Sequence, residues 1–185
     1  GDGYSEAWHK EAARRKLPSL RASPEAIGQF CTPETLRLFT EHEVLNKQEL
    51  KARQDIYFEQ YCKTVRTEAR ITARTARTII YPAAMRYQGE LAATCAHMKA
   101  IDMEYKAVTL GELTVKLRAL QQAVLALEQL LDAAPGQELP EEARHCSDKI
   151  LPAMNEVRRW ADALETIVAD DLWALPSYQE MLFIK

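Results

Sequence analysis

Apolar residues recur at helical spacing along most of the chain, and three long segments account for the bulk of it. The first begins at Asn46, a capping residue type, and carries Leu50, Phe58, Tyr61, Val65, Ala69, Ala76 and Ile79 on one stripe. The stripe continues past Pro82 through Ala83, Tyr87, Leu91, Met98 and Ile101. A straight helix over 47–101 would be about 80 Å long at 1.5 Å per residue, whereas a compact globule of this chain length has a radius of gyration of only about 16 Å. The pattern therefore predicts a kink at Pro82, where a backbone donor is missing, together with an elongated domain.

The second segment has the cleanest period. Leu110, Leu113, Leu117, Leu120, Val124, Leu127 and Leu131 alternate steps of three and four, a coiled-coil-like seam that ends at Ala134-Pro135-Gly136. The third starts at Pro140-Glu141-Glu142 and carries Ala143, Cys146, Ile150, Met154, Val157, Ala161, Leu164 and Val168, with a second kink predicted at Pro152. The short connection makes helices 109–134 and 140–169 an antiparallel hairpin, with the long helix before them as the third partner.

The two ends follow different grammars. Residues 1–45 read as short helices at a junction, started by Ser5, by Ser23 before Pro24-Glu25, and by Thr32 before Pro33-Glu34. Residues 46–185 read as the bundle. The tail packs Trp173, Pro176, Tyr178, Met181, Leu182, Phe183 and Ile184 into few residues. Chain ends are normally polar and frayed, so a tail this apolar is expected to dock on its own bundle or on a neighbour. The fold class is thus all-α: an elongated helical bundle of three to four long helices, short N-terminal helices and a docked apolar C-terminal tail.

Composition narrows the function. Of the 185 residues, 47% are hydrophobic and 28% charged, which suits one water-soluble globule with a real core. Lys and Arg total 24 against 27 Asp and Glu, a formal charge of -3, so overall charge does not recommend nucleic acid as a partner. No apolar run reaches the roughly 20 residues that span a bilayer, and the N-terminus has no basic-then-apolar leader. A cytoplasmic location is expected, or an organelle matrix, without a membrane partner. Cys31, Cys62, Cys95 and Cys146 are far apart and form no CxxC, so they read as reduced, half-buried helix residues. The chain opens without Met, as a processed product or an excised fragment would.

Candidate chemistry is sparse. His9, His42, His97 and His145 form no HxxxH pair, no Gly-x-Ser-x-Gly elbow occurs, and no Gly-rich phosphate loop precedes a helix. The strongest polar feature is Arg66, Arg70, Arg74 and Arg77, with Lys63 nearby, on one stripe of the long helix. Such a stripe could bind phosphates. Without interleaved aromatics, and with acids on the same helix, pairing to carboxylates of a neighbouring helix or subunit is the favoured reading. Thr64, Thr67, Thr72, Thr75 and Thr78 crowd the same helix, which therefore depends on tertiary packing and is expected to be central. Glu141-Glu142 suits a helix start, whereas Asp170-Asp171 has no assigned role.

The last stretch carries a resemblance. Leu151-Pro152-Ala153-Met154, Arg158, Asp162, Leu164-Glu165 and Val168 lead to Trp173-Ala174-Leu175-Pro176-Ser177-Tyr178-Gln179-Glu180-Met181-Leu182-Phe183-Ile184-Lys185. This block is similar to the extreme C-terminus of type III glutamine synthetases. Glu68-Ala69-Arg70 leading to Ile79-Ile80-Tyr81-Pro82-Ala83-Ala84 resembles that family's long helix. Gly3-Tyr4-Ser5-Glu6-Ala7-Trp8, Glu11-Ala12-Ala13-Arg14-Arg15 and Leu17-Pro18 resemble the junction after its catalytic region. Two positions depart from the family pattern: Ala174, where Pro follows the Trp, and Lys16, where Gly is usual.

The resemblance implies a parent enzyme that joins ammonia to glutamate with ATP hydrolysis, using Mg or Mn held by a β-rich domain upstream. It assigns no catalytic, cofactor-binding or metal residue to this chain. It implies instead a non-catalytic structural and assembly domain, whose partners are the upstream catalytic domain and neighbouring subunits of a ring-shaped homo-oligomer. The candidate interface residues are Arg66, Arg70, Arg74, Arg77, Trp173, Tyr178, Met181 and Phe183. The alternative is a stand-alone helical protein–protein interaction module.

Overall fold

The computed structural model describes residues 3–133, 138–176 and 178–182. All regular structure among them is helical, as the periodicity predicts. The chain divides into two compact units, residues 1–61 and 62–185, with the boundary inside the longest helix.

The first unit holds α1 (Glu6–Arg14), α2 (Ser23–Gly28), a 3-10 turn Gln29–Cys31, α3 (Pro33–Glu41) and the start of α4 (Lys47–Thr75). Ser5 caps α1 by accepting the Trp8 N–H at 3.3 Å, and Thr32 caps α3 by accepting that of Thr35. Ser23 does not cap α2. The helix begins one residue earlier than its hydroxyl suggests, with Ala22 at the cap, and the Glu25 carboxylate reaches back to the Arg21 N–H at 3.1 Å instead. Asn46 caps α4 in a reciprocal box: its side chain accepts the Glu49 N–H at 2.9 Å, and the Glu49 carboxylate accepts the Asn46 N–H at 2.8 Å.

Neither α1 nor α3 buries a residue. Burial in this unit falls on Pro24, Leu50, Phe58 and Gln54, whose amide donates to the carbonyls of Ile27 and Gly28 at the end of α2. Phe30 and Tyr57 add an edge-on ring contact at 5.4 Å.

The second unit is a three-helix bundle. Its first member is the remainder of α4, continuing through Ala76–Ile80 into α5 (Tyr81–Ala100). Its second is α6 (Val108–Asp132). Its third is α7 (Leu139–His145), Cys146–Ile150 and α8 (Leu151–Glu165). Hydrogen bonds from Arg66 to Leu131 and from Gln88 to Thr114 set the first helix antiparallel to α6. Those joining His145 to Leu130 and Lys116 to Ala163 set the third antiparallel to it as well. The α6 seam is buried from Leu113 to Leu131, and only Leu110 of the predicted set is half-exposed.

Both predicted kink sites turn out to be single π turns. Tyr81 bonds back to Ala76, and Leu151 to Cys146, five residues each, immediately ahead of Pro82 and Pro152. An α-helix would drive each proline ring into the carbonyl four residues before it. The wider turn relieves that clash and leaves each proline in the first turn of the next helical stretch, where a missing N–H is harmless. The two sites share a pattern, a small buried residue, then a buried Ile four later, then Pro-Ala: Ala76, Ile80, Pro82-Ala83 and Cys146, Ile150, Pro152-Ala153.

The first helix meets the bundle through small residues. Ala69, Ala73, Ala76, Ala83 and Ala84 are its buried positions along with Cys62, Val65 and Ile80. None of the five threonines is buried, so this seam, and not the hydroxyls, holds a threonine-rich helix together.

The tail returns over the bundle. A 3-10 turn Asp170–Leu172 packs on α5, and Trp173, Leu175 and Pro176 line the groove between α4 and α8. In α9 (Tyr178–Leu182), Met181 reaches the same groove but stays 59% exposed, and Leu182 is 78% exposed. Docking thus runs through the segment before α9. Phe183 and the Tyr178 side chain lie outside the described residues.

Three helices end in the same Schellman motif, each with a non-glycine residue in the left-handed position. Lys16 (φ 56°), Glu43 (φ 50°) and Asp102 (φ 55°) are followed by six-residue back-bonds Leu17 to Ala12, Val44 to Phe39 and Met103 to Met98. A left-handed side-chain residue costs about 1–2 kcal/mol. Replacing Lys16 by Gly is expected to stabilise the fold by about 0.5–1 kcal/mol after the glycine entropy loss. Thermal unfolding checks this, and an unchanged or lower midpoint contradicts it.

Candidate assembly surface

The arginine stripe begins inside the bundle. Arg66 is only 17% exposed and donates through Nη2 to the Leu131 carbonyl at 2.8 Å, while its Nη1 lies 3.7 Å from the Glu142 carboxylate. His145 reaches the Leu130 carbonyl at 3.2 Å from the other side. The last carbonyls of α6, which have no partner within their own helix, are therefore capped by side chains of both flanking helices. A guanidinium also complements the negative end of the helix dipole.

Beneath this cap, Cys62 and Cys146 are buried thiol to thiol. Burial pushes the Cys62 thiol up to about 12 and raises Cys146 too, since a thiolate there would lose its solvation. Neither is the half-buried residue expected from sequence; Cys31 and Cys95 are. These two thiols are core packing with little thiolate character.

Further along, the stripe leaves the core. Arg77 pairs with Glu128 of α6. Arg70 and Arg74 are exposed and form no ion pair among the described residues. Together with Arg77 they wall an open cleft of about 420 Å³ against Glu128 and Asp132, floored by Ala73 and Leu131. The four arginines thus divide into two that tie the bundle together and two that face outward.

A second groove of about 340 Å³ opens on the opposite face of α4, lined by Ile71, Thr72 and Thr75, by Val157 and Ala161 of α8, and by the tail. Trp173 covers it with an indole N–H that is buried without an acceptor among the described residues. His9, His42 and His97 are exposed and separate. Among the described residues no three His, Cys, Asp or Glu side chains gather as metal ligands would. No described helix is long and apolar enough to cross a membrane.

Sequence pattern marked the stripe but not its division. The cis partners of Arg66 and Arg77 sit on α6 and α7, so only helix pairing reveals them. The signal that could have found them is the acid spacing on those helices, Glu128 near the end of α6 and Glu142 near the start of α7.

Together, fold and polar clusters define an all-α bundle domain in which the bonds between helices fix how the helices attach to one another. Residues 1–99 match the family described as glutamine synthetase C-terminal domain, and the chain belongs to that family. It is 29% identical to the type-3 glutamine synthetase of Dictyostelium discoideum over 197 aligned residues, covering 100% of this chain and 26% of that protein. It is 30% identical to glutamine synthetases of Bacteroides fragilis and Butyrivibrio fibrisolvens, covering 100% and 99% of this chain and 27% of each relative. The chain spans about a quarter of the length of these relatives and corresponds to their C-terminal part.

The two classes of arginine should respond differently to truncation. Arg66→Ala removes a charged donor from a buried carbonyl and is expected to cost about 2 kcal/mol. Arg70→Ala should stay within about 0.5 kcal/mol, as surface changes do. Urea unfolding of the two variants checks this; equal losses would contradict the division.

Proposed function

We propose that this chain is the non-catalytic C-terminal support and assembly domain of a glutamine synthetase, an enzyme that joins ammonia to glutamate with ATP hydrolysis. The observation that carries this reading is the extent of the match: it runs the length of the chain yet takes up only a quarter of each relative. ATP and its Mg or Mn ions would then be held upstream, by residues outside this chain, in a cytoplasmic enzyme. The bundle's part is mechanical. It offers a rigid body, locked by side-chain caps at the end of α6, from which exposed polar and apolar side chains reach the catalytic domain and neighbouring subunits of a homo-oligomer.

The exposed Arg70 and Arg74 support that role, as does the tail, with Trp173 seated on the bundle and Met181 left largely exposed in α9. Tyr178 and Phe183 belong to the same apolar segment by sequence. Deleting residues 173–185 from the full-length enzyme is expected to release smaller species on sizing chromatography and to uncover the α4–α8 groove. An unchanged oligomer that remains in solution would contradict the assembly role.

A further inference from the structure

We propose that the apolar faces of α1 and α3 are the surface by which this chain packs against the part of its own polypeptide that precedes residue 1. The proposal rests on the support-domain reading above and names where the support is attached.

Residues 3–45 are helical without a core of their own. α1 and α3 bury no residue, α2 buries only Pro24, and the turn Gln29–Cys31 buries none. Helices of nine and six residues fall short of the roughly 12–15 at which an isolated helix becomes even marginal in water, so cover from outside has to hold them. For α2 the structure supplies it. Gln54 of α4 bonds the Ile27 and Gly28 carbonyls, and Phe30 meets Tyr57. At α1 the Ser5 cap and the Glu11 ion pairs to Arg14 and Arg15 are local, and they tie the helix only to itself.

Apolar side chains mark the uncovered face. Trp8 is exposed on α1, Leu38 on α3, and Leu20 in the connection from α1 to α2. Both helices end in the Schellman turn described above. The residue after the left-handed position, Leu17 or Val44, ordinarily closes over the last turn of its own helix. Here Leu17 stays exposed and Val44 is 62% exposed, so both add to the open patch.

The tether argues for what covers this face. Glu6 opens α1 five residues into the chain, so whatever is joined to residue 1 starts within about 18 Å of it, at 3.6 Å per residue. The relatives carry about three-quarters of their length outside the match, and the match is their C-terminal part, so their bulk enters at this end. A segment held that close meets the helices at an effective concentration in the mM range. Five apolar side chains are a small patch beside the roughly 20–30 residues a side of a stable free complex. They suffice for a joined partner where they would not for a free one. The occupant is therefore an apolar surface of the upstream part, met in cis.

In the full-length enzyme, p-benzoylphenylalanine placed at Leu38, and separately at Trp8, is expected to cross-link on irradiation to peptides from before residue 1 of the same polypeptide. Mass spectrometry reads the peptides, and an unchanged chain mass on a denaturing gel shows the link to be internal. Cross-links confined to residues 46–185, cross-links to a second copy, or none at all overturn the face. Independently, amides 8–14 and 36–41 are expected to exchange at least about tenfold more slowly in the full-length enzyme than in this 185-residue chain, with the α6 amides protected in both. Equal rates at α1 and α3 overturn it too. A reading frame with no upstream domain defeats the support-domain reading itself; an upstream domain that neither cross-links to nor protects these helices refutes this face alone.

Discussion

Burial of the α6 seam is the constraint on which residues 62–185 depend. Leu113, Leu117, Leu120, Val124, Leu127 and Leu131 are all nearly inaccessible, and removing each such side chain from water is worth roughly 1.5–3 kcal/mol. Both flanking helices must keep an apolar face against that seam along their length, yet each contains a proline that an α-helix cannot hold in its interior. The π turns at Ala76–Ile80 and Cys146–Ile150 reconcile the two demands. Each adds one residue to a turn, frees the proline ring, and still leaves Ile80 or Ile150 pointing into the core.

Polar side chains then fix how the helices are attached. The open end of α6 would present carbonyls without partners near the core, and Arg66 and His145 supply donors from opposite sides. The same pairings set relative register, since Arg66 also approaches Glu142 and Arg77 meets Glu128. The buried thiols of Cys62 and Cys146 fill the space below. What is left over after these attachments, Arg70 and Arg74 on one face and α9 on another, stays exposed and is the surface on which the proposed assembly role rests.

Most of the fold was legible in the sequence because its period is strong. The α6 seam, the hairpin with the third segment and the Asn46 cap follow from spacing and capping chemistry alone. Ser23 misled because a hydroxyl before Pro resembles a cap, while the backbone places Ala22 there and Glu25 satisfies the Arg21 N–H. The prolines predicted bends but not π turns, since the turn depends on keeping the next buried Ile in register, a tertiary requirement. The threonines drew notice as a sign of packing, but the packing itself belongs to alanines that carry little weight in a hydrophobic pattern. The arginine stripe was visible, whereas its split into attached and outward-facing halves required knowing which acids lie across from it.

A bundle organised around one seam has a definite order of local stability, which native-state hydrogen exchange reads directly. Amides of α6 from Leu117 to Leu127 are predicted to exchange only through global unfolding, while those of α1, which buries nothing, open locally and exchange first. Exchange of the α6 amides as fast as those of α1 would contradict the seam as the foundation of the domain.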